Sequence, residues 1–192
     1  MNILIIDLEC TCDEPQSFPR EEMEIIEIGA VALQLSPEGA KPVDEKQLYI
    51  KPVIHPTLSR FCTELTHITQ PQVDEAVELP AALQALEQWA DSVDALAWGS
   101  WGKFDATQLE MEARVKGVAT PLQHLPHLNI KQRFAKSSGH RVGIGRALKL
   151  SSLEFIGQPH SGLDDARNVA RLLDHDLKLR QAVLKRVAAT RS

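Results

Sequence analysis

Acidic residues occupy three places in this sequence where their spacing could do chemistry. Asp7 and Glu9 stand two positions apart at the end of the apolar run Asn2-Ile3-Leu4-Ile5-Ile6. In a strand, residues i and i+2 point to one face, so both carboxylates would project together. Like charges held side by side are unfavourable unless a cation stands between them. A divalent metal suits the pair, since hard cations take several oxygen ligands, although strand ends also carry acidic residues without any such role. Asp105 closes the stretch Trp98-Gly99-Ser100-Trp101-Gly102-Lys103-Phe104-Asp105. It serves equally well as a helix-opening residue, while the tryptophans and glycines before it suggest close backbone approach and a flat apolar surface.

The third place is His160-Ser161-Gly162-Leu163-Asp164-Asp165, where loop gives way to helix. Negative charge in a first helical turn is favourable in any protein. A histidine on a glycine-containing loop beside carboxylates is also how a general base is commonly held. Taken together, Asp7, Glu9, Asp105 and Asp165 can converge at one edge of a sheet. Two Mg²⁺ ions held by such a cluster activate a water and stabilise the leaving oxygen of a phosphodiester, a reaction that needs little beyond positioning and charge neutralisation.

The elements that must position these groups follow from the hydrophobic period. Asn2–Ile6 reads as a strand buried on both faces. Pro15–Pro19 reads as a loop, Ile25–Leu33 as a second strand and Gln47–Ile50 as a third ending at Pro52, the three forming an antiparallel meander. The period then changes. Leu58–Cys62 starts a helical turn, and Pro80–Trp89 reads as a helix with proline in its first turn. Ala95–Trp98 is a fourth strand, Phe104–Val115 a helix, and His127–Ile130 a fifth strand. Two or three helices follow, the clearest over Leu163–Leu179. Strands first, then helices alternating with strands, give a mixed-sheet α/β architecture.

Composition sets the outer bounds. The chain has 192 residues, 43% hydrophobic and 24% charged, enough for one domain with a proper core and too apolar for a disordered chain. No apolar run approaches the roughly 20 residues of a membrane span, and the first nine residues lack the basic region of a signal peptide. Cys10, Cys12 and Cys62 are too few for a disulfide scaffold, and Cys10-x-Cys12 lacks the second half of a zinc site. The histidines show no His-x-x-x-His pair for a zinc hydrolase. A cytoplasmic protein is expected. The net charge of −5 conceals polarity: residues 1–130 carry 8 basic against 21 acidic side chains, residues 131–192 carry 13 against 5. Lys131 to Lys149 holds six basic residues and no acid, a strip that either tracks a phosphate backbone or is a solvated face.

Asp7-Leu8-Glu9, then Asp105, then His160 with Asp165, resembles the three-motif signature of the DEDDh 3′-to-5′ exonucleases in order and spacing. Pro56 to Gln70 with Val73-Asp74, Asn129-Ile130-Lys131, and Pro159 to Asn168 are similar to the branch of the histone-mRNA and RNA-interference 3′ exonucleases and their bacterial relatives. The resemblance covers roughly Ile3 to Leu173. It implies a ribonuclease H-like fold, an exonuclease domain over residues 1–178 and a C-terminal basic helix or tail over 179–192. It further implies two divalent metals, Mg²⁺ or Mn²⁺, on Asp7, Glu9, Asp105 and Asp165, with His160 deprotonating the attacking water and nucleoside 5′-monophosphates as products.

Phe61 and Leu65 match the segment that in that family packs on the terminal base and sugar, where an aromatic stack is worth roughly 1–3 kcal/mol. Phe104 matches a position usually aromatic in the branch, Leu8 is expected to contact substrate as well, and core packing is the alternative for Phe61 and Phe104. Arg141 and Arg146 would hold upstream backbone. Asp164 is a second-choice ligand or a helix-start residue. His67 stands where the branch usually has glycine, near the expected 3′-terminal site. The expected substrate is single-stranded RNA or an RNA 3′ overhang. A DNA exonuclease of the proofreading or repair type, and a catalytically silent nucleic-acid-binding module, are the other readings, and the intact carboxylates and histidine count against the second.

Overall fold

Strands β1 (Asn2–Cys10), β2 (Ile25–Leu35), β3 (Ala40–Tyr49), β4 (Ala95–Ser100) and β5 (His127–Asn129) form one mixed sheet in the order β3-β2-β1-β4-β5. β1, β2 and β3 pair antiparallel as a meander, and β4 and β5 add in parallel on the other side of β1. The computed structural model describes residues 1–14 and 18–190, so most of the loop expected over Pro15–Pro19 lies outside the described residues. Helices α1 (Arg60–Thr66), α2 (Gln70–Asp74), α3 (Leu79–Ser92), α4 (Phe104–Val115), α5 (Ile130–Ser138), α6 (Ile144–Leu150), α7 (Gly162–His175) and α8 (Leu177–Ala189) flank the sheet. The mixed five-stranded sheet with flanking helices is the architecture anticipated above. Among the described residues, no helix is long and apolar enough to cross a membrane.

The central strand sorts its side chains by parity. Ile3 and Ile5 pack with Val31 and Leu33 of β2 and with Leu163, Ala166, Val169 and Leu173 of α7. Leu4, Ile6 and Leu8 pack with Leu79, Leu83 and Leu86 of α3 and Leu109 of α4. Each fully buried aliphatic side chain contributes roughly 1.5–3 kcal/mol. A slip of one residue would turn every one of them to the wrong face, so the register is firmly specified. Asp7 and Glu9 continue the odd-numbered set and therefore face α7.

Several boundaries differ from expectation, three of them with a clear physical cause. β3 begins at Ala40 rather than Gln47; residues 41–45 of this edge strand are exposed, so alternation is absent, and their charges protect the open edge. β5 ends at Asn129 because that side chain accepts from the Gln132 amide at 2.8 Å and starts α5, taking Ile130 into the helix. The helix expected over Leu163–Leu179 breaks at Asp176. Its amide closes α7 on the Leu172 carbonyl at 2.8 Å, and its carboxylate accepts from the Leu179 amide at 3.0 Å to cap α8. The expected boundary after residue 178 thus falls inside α8, whose Leu179, Val183 and Val187 join the same core as Ile3 and Ile5.

Candidate active site

Parity, register and one helix terminus build the site. In the β1–β2 ladder Asp7 lies opposite Gly29 and Glu9 opposite Glu27. Over this patch sits the first turn of α7, which carries Asp165. One carboxylate oxygen each from Asp7, Glu9 and Asp165 all lie within 4.8 Å of one another. Asp105, in the first turn of α4, stands beside them rather than within that group; its Oδ1 accepts from the Leu8 amide at 3.2 Å. The structure thus gathers the four acids that the sequence singled out at the C-terminal end of β1.

Burial, and for Asp7 and Glu9 the neighbouring acids as well, is visible in their proton affinities. Burial, then Asp105, Asp165 and Glu9, push the Asp7 carboxyl well above the usual carboxylate range. Burial and the neighbouring Asp165, Glu27 and Asp105 push Glu9 up to about 8. Asp165 is raised to about 6, mainly by burial, with the His160 amide opposing. Burial raises Asp105 against hydrogen bonds that include those from Ser100 and the Leu8 amide. A set of buried hard-oxygen donors this close is stable in its charged form with a divalent cation between them, so the residues fit Mg²⁺ or Mn²⁺.

His160 is exposed in a left-handed conformation (φ 61°), and its amide donates to Asp165 Oδ2 at 2.9 Å. Asp164 tethers the same loop: its Oδ2 accepts from the Gln158 amide at 2.8 Å, and its Oδ1 accepts from Arg167 Nη1 at 2.9 Å. It is spent on loop anchoring rather than on the carboxylate group. Across the site, Gln158 Nε2 lies 2.7 Å from Nε2 of His67, the left-handed C-cap of α1.

The other expected contact residues divide. The Leu8 side chain is buried in the core, and its amide is what serves the site. Phe61 and Leu65 are half-buried and one turn apart on α1, hence on a common face. Phe104 is 41% exposed, with the Arg20 guanidinium 5.2 Å above its ring. It also borders a cleft of about 590 Å³ lined by Trp101, Lys103, Lys131, Lys136 and Arg141. Arg146 is exposed on α6, outside that lining.

Sequence reasoning missed three supporting residues. Glu27 is buried beside Glu9 with both oxygens on amides of α7. Ser100 is fully buried on β4. His127 Nε2 lies 3.0 Å from the Ser100 hydroxyl, and its ring packs 4.4 Å from Trp98. Burial and Lys103 hold the His127 imidazole down at about 4, so it is neutral. A polar residue inside an apolar strand signals some buried partner, but the partners here come from distant segments.

Known proteins resemble this chain. The RNase_T family model, described as an exonuclease, matches residues 4–173. ERI1 exoribonuclease 3 of Homo sapiens is 30% identical over 179 residues, covering 88% of this chain and 52% of that protein. The 3'-5' exoribonuclease 1 of Mus musculus is 34% identical over 184 residues, covering 88% and 51%. The chain therefore spans about half the length of these relatives. The nuclease domain of 3'hExo, a DEDDh family member solved bound to rAMP, superposes with a TM-score of 0.83 at 28% identity, covering 94% of this chain and 92% of that one. With the family model matching residues 4–173 of the chain and the Asp-x-Glu, Asp and His-x-x-x-x-Asp motifs drawn together at one strand end, the chain belongs to the RNase_T exonuclease family, in its DEDDh branch.

Proposed function

We propose that this chain is a metal-dependent 3′-to-5′ exoribonuclease that removes nucleoside 5′-monophosphates from single-stranded RNA or RNA 3′ overhangs. The observation that carries the reading is the convergence of the Asp7, Glu9 and Asp165 carboxylates, with Asp105 adjoining, beside a loop that bears a histidine. Asp7, Glu9, Asp105 and Asp165 would hold two Mg²⁺ or Mn²⁺ ions. Such ions lower the pKa of a bound water and neutralise charge on the leaving oxygen.

The remaining work falls to the chain's own side chains. His160, on its tethered loop, accepts the proton of the attacking water. Phe61 and Leu65 on α1 offer an apolar face to the terminal nucleotide, and the exposed Phe104 offers a stacking surface next to Asp105 in sequence. Lys131, Lys136 and Arg141 line a cleft beside Phe104 that suits upstream phosphates, with Arg146 further along the strip. RNA is favoured because the nuclease domain of 3'hExo was solved with rAMP and the related proteins are named exoribonucleases. A cytoplasmic location fits the three free thiols Cys10, Cys12 and Cys62, which a reducing compartment preserves.

Digestion of 5′-labelled RNA and DNA oligonucleotides with Mg²⁺, Mn²⁺ or EDTA tests the reading. A metal-dependent ladder shortening from the RNA 3′ end is expected. Shortening of DNA alone would transfer the assignment to a DNA exonuclease, and binding without shortening would make the chain a silent module.

A further inference from the structure

Glu27 belongs to none of the three motifs, yet it is the carboxylate that joins two of them. It is 1% exposed, on β2, directly opposite Glu9 in the ladder. Its Oε2 accepts from the Gly162 amide at 3.1 Å and its Oε1 from the Leu163 amide at 3.2 Å, the first two residues of α7. Gln47 Nε2, reaching from β3, donates to Oε1 at 2.9 Å. The amides at a helix start have no partners within the helix, and the positive end of the helix dipole favours an anion there. A buried carboxylate, conversely, needs donors aimed at both oxygens. Each satisfies the other only when the start of α7 sits at one position on β2.

That position decides where Asp165 lies, because Asp165 is in the same first turn of α7. The packing beneath leaves little slack: a Cβ on Gly162 would come within 3.0 Å of the Asp7 carbonyl oxygen and 3.3 Å of Glu27 Cδ. Both oxygens of Glu27 are engaged by amides, and it stands outside the close group of Asp7, Glu9 and Asp165. We infer that Glu27 is a positioning residue: by capping α7 from β2 it holds the Asp165 carboxylate in register with Asp7 and Glu9, and so sets the affinity of the site for its divalent ions. The inference rests on the proposed function for its catalytic consequence and on the geometry alone for metal binding.

The test compares Glu27→Gln and Glu27→Asp with the full wild-type chain. Glutamine keeps the length but has one acceptor oxygen for two amides. Aspartate keeps the charge but loses the reach. Mn²⁺ affinity is measured by calorimetry without nucleic acid, alongside kcat, KM and Tm. Removing a group that orients a metal ligand typically weakens metal binding or activity about 10–100-fold, so both variants should show that loss in Mn²⁺ affinity and kcat, with KM for the oligonucleotide nearly unchanged.

If Glu27→Asp matches wild type while Glu27→Gln fails, only charge matters and the positioning role is overturned. A lowered Tm with wild-type Mn²⁺ affinity and kcat would reduce Glu27 to a packing residue. Should either variant not fold, Gln47→Ala, on the exposed edge strand, removes one donor and should weaken Mn²⁺ binding about 2–5-fold; an unchanged affinity overturns the inference. Lost Mn²⁺ binding in the variants of a wild type that digests no nucleic acid would uphold this role and refute the exonuclease reading.

Discussion

Gly29→Ala adds one methyl group at the point where the sheet meets the helix that brings Asp165. The new Cβ would lie 2.0 Å from both the Gly162 carbonyl carbon and the Leu163 amide nitrogen, where ordinary contact begins at 3.4 Å. Both obstacles are backbone, so no rotamer relieves the clash; the start of α7 must retreat by about 1.4 Å from β2. Overpacking of a tight interior costs about 1–3 kcal/mol, and this site belongs at the upper end. At about 2–4 °C per kcal/mol for a chain of this size, Tm should fall by about 6–12 °C. Displacement of a reacting group by about 1 Å costs on the order of 10²-fold in rate, and Asp165 moves with its helix. Turnover at 20 °C should therefore drop at least about 10²-fold. Gly145→Ala is the control: its Cβ meets nothing within 4 Å in α6, and it should retain full activity. Wild-type turnover in Gly29→Ala, or a Tm within about 2 °C, would refute the claim that this contact seats the helix.

Four shorter predictions follow the same geometry. Asp7→Ala should abolish metal-dependent hydrolysis while leaving the far-ultraviolet circular dichroism and Tm near wild type; retained turnover would remove Asp7 from the site. His160→Ala should lose about 10²–10⁴-fold in kcat with Mn²⁺ affinity kept, and lost affinity would make it a ligand instead. In EDTA the folded state holds a proton on Glu9 that the unfolded chain has released, and the raised Asp7 carboxyl acts in the same direction. The slope of stability with pH is then negative, and Tm should fall between pH 6.5 and 8 as Glu9 titrates near 8. His127, held near 4, contributes the opposite slope only below 6.5. Saturating Mn²⁺ should abolish the fall, and a Tm that rises over this window in EDTA would contradict the raised values. Arg141→Gln with Arg146→Gln should reduce the salt slope of single-strand binding by up to about 1.4, since each phosphate contact contributes about 0.7; an unchanged slope would make the strip plain surface.

The parts of the fold written in local spacing were legible in the sequence. The i, i+2 placement of Asp7 and Glu9 on an apolar strand, and the helix over Phe104–Val115, needed only periodicity. β3 was read short because Lys41-Pro42-Val43-Asp44-Glu45 lies at an edge with both faces wet, where no alternation is imposed. The break at Asp176 was hidden because the apolar spacing runs on through it, while one residue serves as both C-cap and N-cap. Glu27 reads as a polar residue inside Ile25-Ile26-Glu27-Ile28, and its partners, Gly162 and Leu163, lie 135 and 136 residues away. Long-range satisfaction of a buried charge leaves no periodic trace, so the residues that support the site were harder to find than those in its motifs.

The parity of β1 has a consequence for motion. Asp7 and Glu9 extend a strand whose Ile3, Leu4, Ile5 and Ile6 are wholly excluded from water on both faces. Amides of such a strand exchange with solvent only when the whole domain opens. His160 and Gln158, by contrast, are exposed: the His160 amide is held by Asp165, and Gln158 is held by Asp164 at its amide and by His67 at its side chain. Local opening therefore reaches the histidine loop first, while the floor of carboxylates stays assembled beneath it.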